Sequence, residues 1–109
     1  METLEYRLKA EFDRGEAARA RGNEGQARVC ARRAAGIAIR EYLERRGETV
    51  RISSAYDLLS RLIEDPLVSG EVKQAAAYLT MRVDKDFKLP ADVDLLAESR
   101  RLCDLLLSG

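Results

Sequence analysis

The sequence predicts an all-α protein, an antiparallel bundle of about five helices, on three observations. Apolar residues recur at helical spacing in five segments, and a side chain able to cap a helix stands before each. The two prolines, Pro66 and Pro90, interrupt the pattern between segments, not within them. The stretch GETVRI (47–52) is too short for a sheet of its own. At 109 residues, 46% hydrophobic and 35% charged, the chain fits a single domain, 1–109, with one core.

In chain order, Thr3 is placed to cap a helix over about 4–21, in which Leu4, Leu8 and Phe12 follow at fourfold spacing. Gly22-Asn23 is the only break before the next helix, so the two should fold back as a hairpin with a very short turn. The second helix, Asn23 to Gly47, organises the rest. Asn23 can cap it, Gln26 is spaced to reach back to that cap, and Gly47 supplies the left-handed residue that ends helices. Ala27, Cys30, Ala31, Ala34, Ile37 and Ala38 line one face and Ala35, Ile39, Tyr42 and Leu43 the next. An apolar arc that wide predicts neighbours on two sides.

Ser54 then caps a short helix with the stripe Ala55, Leu58, Leu59, Leu62 and Ile63, off which Tyr56 and Arg61 fall, and Asp65-Pro66 ends it. Ser69-Gly70 opens a fourth helix, with Val72, Ala75, Ala76, Leu79 and Val83 inward and an end near Val83. After DKDFKLPAD (84–92), Asp92 and Asp94 open a last helix whose Leu95, Leu96, Leu102, Cys103 and Leu106 face the core.

Charge is balanced overall and uneven along the chain. Residues 14–51 hold ten Arg against five Glu, net +5, while 1–13 carry −2 and 52–109 carry −3. On the second helix Arg28, Arg32, Arg33 and Arg40 must find solvent, carboxylate or phosphate, and guanidinium suits planar pairing with either anion. They are the candidate contacts for RNA or an acidic partner; a solvated helix surface is the plainer reading of the same residues. With no histidine there is no triad of the usual kind, no His-containing zinc site and no side chain with an ordinary pKa near 7. Cys30 and Cys103 fall at apolar helical positions and read as buried, reduced thiols.

Asp92 and Asp94 stand where a cap and a first-turn acid belong, so these acids and the pair Asp84 and Asp86 predict no metal site. Gly22 and Gly25 lack the Lys-Ser/Thr of a phosphate loop, and no cofactor is expected. The stretch 18–39 superficially resembles a tetratricopeptide helix pair, yet no second copy follows at that period. No apolar run approaches a membrane span and METLEYR lacks a signal peptide's features, so a cytoplasmic protein without membrane contact is the expectation.

A hairpin with alanines along its second helix, a short Leu-rich helix, then YLTMRVDKDF (78–87) and a final amphipathic helix resembles the HEPN superfamily of small helical bundles. The most specific part is Arg82-Val83-Asp84-Lys85-Asp86-Phe87, similar to the Arg-x-x-Ala-Asp-Tyr signature of one branch: Arg82, Asp86 and Phe87 match, and Lys85 replaces the alanine. Ribonuclease branches carry a histidine separated from the arginine by four to six intervening residues; Phe87, Lys88 and Leu89 stand there instead. The resemblance implies a non-catalytic, often dimeric module that partners a minimal nucleotidyltransferase, or a nucleotide- or RNA-associated accessory. Two other readings stand beside it: an atypical ribonuclease using Arg82, Lys85, Asp86 and Lys88, and a helical adaptor with no nucleic-acid role. A local account also exists for the motif, in which Arg82 pairs with Asp86 at a helix end and Phe87 plugs the gap beside the last helix.

Overall fold

The computed structural model describes residues 2–51, 54–86, 88–90 and 92–108. Among them the chain forms five helices and no strand: α1 (Leu4–Ala20), α2 (Glu24–Arg45), α3 (Ala55–Ile63), α4 (Gly70–Leu79) and α5 (Leu95–Leu107). Thr3, Asn23, Ser54, Ser69 and Asp94 cap them, each side chain accepting the backbone N–H three residues on.

The turn between α1 and α2 is as short as expected because one residue serves both helices. Gly22, at φ +80°, donates its N–H to Arg19 O (2.9 Å), and the Asn23 N–H reaches Ala18 O (2.8 Å), closing α1 with a left-handed glycine. The Asn23 side chain then caps α2. Since the Asn23 N–H is already spent on α1, Gln26 does not complete a reciprocal cap; its side-chain amide turns to Cys30 Sγ. Gly47, at φ +85°, closes α2 the same way, with Glu48 N–H on Leu43 O (3.1 Å).

α2 is the hub, packed by α1, α5 and α3, while α4 bridges α3 and α5. Its alanines are the reason: Ala27, Ala31, Ala34, Ala35 and Ala38 are all fully buried, and small side chains let helix axes approach. On α5, buried Ser99 donates to Ala31 O (2.7 Å), and Cys103 Sγ lies 3.9 Å from Ala34 O. α1 passes close by virtue of Gly15, where a Cβ would stand 2.6 Å from Leu96 Cδ2 of α5. Most of the wide apolar arc of α2 is thus covered within the chain, while Ile37 and Tyr42 stay half-buried.

Two ionic clusters fasten the helix ends. Arg19 grips Glu24 (2.8 Å) and Asp94 (2.9 Å), tying the end of α1 to the starts of α2 and α5. Asp65, buried between α3 and α4, takes Arg46 (2.7 Å), Arg61 (3.2 Å) and the Leu67 N–H (2.9 Å). Arg19 holds Glu24 and Asp94 below the usual carboxylate range, and the Leu67 N–H, with the two arginines, does so for Asp65. Because these pKa values are lower folded than unfolded, the stability they bring is complete above the unfolded value of about 4 and is lost as pH falls below it. Thermal melts should therefore be nearly flat from about pH 6 to 8, where no histidine titrates, and fall steeply below about pH 4.

Both cysteines are free and buried, and burial pushes the Cys103 thiol up to about 12. With thiolate the reactive form, native protein should resist an aromatic disulfide reagent at neutral pH and release two equivalents on denaturation.

α4 stops at Leu79, one turn short of the expected end near Val83. Met81 to Asp86 run as a connector outside the helix. The cause lies on α2.

A candidate binding face on the central helix

Arg28, Val29, Arg32, Arg33, Gly36, Ile37 and Arg40 recur along α2 at i, i+4 and i+8 or i+9 and make a continuous face. α1 and α3 flank that face without covering it. The groove between them, about 570 Å³, has walls from Arg7 and Glu11 of α1 and from Ala55, Tyr56 and Leu58 of α3. Val29 and Ile37 remain half-buried in its floor, and Gly36 brings α3 near, since a Cβ there would meet Ala55 Cβ at 3.4 Å.

The four arginines do different things. Arg32 is not given over to solvent: its Nε donates to Leu79 O (2.9 Å) and its Nη2 to Met81 O (2.8 Å), satisfying carbonyls that the end of α4 leaves free. This explains why α4 ends where it does. Burial, with the positive charges of Arg28 and Arg82 nearby, holds the Arg32 guanidinium below the usual arginine range, though still charged at neutral pH. Arg40 donates to Val50 O (3.3 Å), bracing the loop after α2. Arg28 is half-buried and Arg33 exposed; among the described residues neither side chain makes a hydrogen bond or close ion pair.

Tyr56 is the residue that periodicity left unexplained. Its hydroxyl donates to Met81 O (3.4 Å), the Arg82 guanidinium lies over its ring at 4.3 Å, and Arg32 approaches at 5.1 Å. A second, smaller hollow beside it, about 370 Å³, is lined by Gly25, Arg28, Arg32, Tyr56, Arg82 and Val83. Arg82, of the motif Arg82-Asp86-Phe87, thus joins the arginine face through Tyr56.

Asp86 does not pair with Arg82. Its N–H, like that of Lys88, donates to Asp84 Oδ1 (2.8 and 3.0 Å), and Arg82, Asp84 and Asp86 all stand outside any helix, where helical i, i+4 pairing has no meaning. Phe87 lies outside the described residues. Lys85, Asp86 and Lys88 are all exposed, a poor setting for positioned proton transfer. What the face can do is attract and orient an anion: several guanidinium groups converge on a groove whose floor is aliphatic. Of its members, Arg7, Glu11 and Tyr56 were not legible in sequence, because they meet α2 only through the placement of α1 and α3.

Nothing matches this chain in comparisons with family models, curated proteins and solved structures. Among the described residues no helix is long and apolar enough to cross a membrane, and no group of three His, Cys, Asp or Glu is placed to hold a metal ion.

Proposed function

We propose that the chain is a non-catalytic, HEPN-like module that works by association, and that the arginine face of α2 is where it meets its partner. The carrying observation is the open groove between α1 and α3, with Arg33 and Arg7 on its rim and neither spent on the fold. A minimal nucleotidyltransferase-like protein is the partner that the resemblance implies. RNA or a nucleotide is the second reading, favoured by one feature: Arg82, Tyr56, Arg28 and Arg32 around the smaller hollow combine guanidinium groups with an aromatic ring.

Self-association belongs to the same proposal. The support is the family resemblance and a hollow where Leu4 and Leu8 of α1 meet Leu107 of α5, beside Glu5, Arg45 and Asp104. Light scattering should report about twice 12.2 kDa, two-fold dimers being the commonest oligomers, and a strict monomer at every soluble concentration would refute this part.

Binding through the face should weaken with salt. Arg28→Gln with Arg33→Gln should reduce it and flatten the salt slope with helicity intact; Arg32 is kept, because its guanidinium holds the end of α4. Incubation with single-stranded and structured RNA should give no cleavage. Cleavage by the wild type that disappears in Arg82→Ala would replace this reading with the ribonuclease.

A further inference from the structure

We infer that the groove over α2 receives an acidic, amphipathic α-helix of a protein partner. The inference rests on the reading of the arginine face as a binding surface and names what fills it. The floor is aliphatic, from Val29 and Ile37, and the rim is cationic, from Arg7 and Arg33. A helix bearing an apolar stripe at i, i+3, i+4 and i+7 with Asp or Glu beside it matches both properties at once. α1 and α3 already border the groove, so an added helix would lie on α2 between two others, the packing that the rest of the bundle uses.

Two other occupants fit less well. A second copy would bring the same lining to the groove, Arg7, Arg32, Arg33 and Arg40 against the carboxylate of Glu11, a predominantly like-charge contact. RNA would present phosphates to the guanidinium groups but would leave Val29 and Ile37 without apolar contact. The ring of Tyr56, the aromatic group here, already has Arg82 over it.

The test is selection from a displayed library of helices of about 18 residues, roughly 27 Å long, with a fixed Leu stripe and flanking positions randomised among Glu, Gln, Lys and Ser. Selected helices should carry Glu at the flanks. As synthetic peptides they should lose about tenfold or more in affinity on Arg33→Glu and on Ile37→Asp, and nothing on Lys73→Glu, which reverses a charge on α4. Circular dichroism confirms that each variant is folded. No selected binder, or binders with neutral or basic flanks, overturns the inference. An RNA 20-mer is titrated in parallel: RNA binding sensitive to Arg33→Glu without helix binding leaves the arginine face standing and refutes its helical occupant, whereas no binding of either refutes both.

Discussion

Asp65→Ala is expected to cost on the order of 3 kcal/mol of stability and to lower Tm by roughly 12 °C. Asp65 is 1% exposed and sits where α3 turns toward α4, with Arg46, Arg61 and the Leu67 N–H all on its carboxylate. Removing it leaves a backbone donor unmet and two guanidinium groups turned toward an empty site. The loss stays short of the largest seen for buried pairs, because both arginines reach solvent and each keeps Glu48 within ion-pair distance. Asp65→Asn should recover part of it by restoring an acceptor for Leu67. Thermal and urea denaturation of the three proteins decide the matter; a melt unchanged in Asp65→Ala would mean that the cluster is not formed.

Arg32→Gln is expected to cost about 2 kcal/mol and, more tellingly, to loosen one segment before the rest. The Leu79 carbonyl loses its donor and Met81 O keeps only the Tyr56 hydroxyl (3.4 Å), so the connector that carries Arg82 to the Tyr56 ring is held less firmly. Met81 to Leu89 should then open locally. Trypsin, which cuts after Arg82, Lys85 and Lys88, should cleave there at least about tenfold faster in the variant while the helices stay folded. Arg28→Gln, without such a role, should leave the cleavage rate unchanged. Equal rates in wild type and Arg32→Gln would remove Arg32 from the structural account and return its charge to the binding face.

Most of the helical frame was legible because its signals are local. Thr3, Asn23, Ser54 and Ser69 cap the helices that the apolar spacing placed, Gly22 and Gly47 end two of them, and the alanines of α2 announced close neighbours. What escaped depends on residues far apart in the chain. The end of α4 is set by a side chain 47 residues earlier, so the run to Val83 looked helical when taken alone. Asp65 read as a helix terminator beside Pro66 and proved to be the centre of an ion cluster: Arg61 is a local i, i+4 partner, but Arg46 comes from the end of α2. Arg28, Arg32, Arg33 and Arg40 shared a helix face in the sequence, but which were spent on the fold became plain only once α3 and the connector stood against them. The groove has no sequence signature, because Arg7, Glu11 and Tyr56 face it only in the folded chain.

The central claim, that the chain acts by binding through the arginine face of α2, is tested most directly by site-specific photocrosslinking in the cells that make the protein. A benzophenone side chain at Ile37, in the floor of the groove, is compared with one at Glu71, exposed on α4. The account expects a discrete adduct from position 37, lost when Arg33→Glu is added, and none from position 71. No adduct at 37, or the same adduct from both positions, would contradict it.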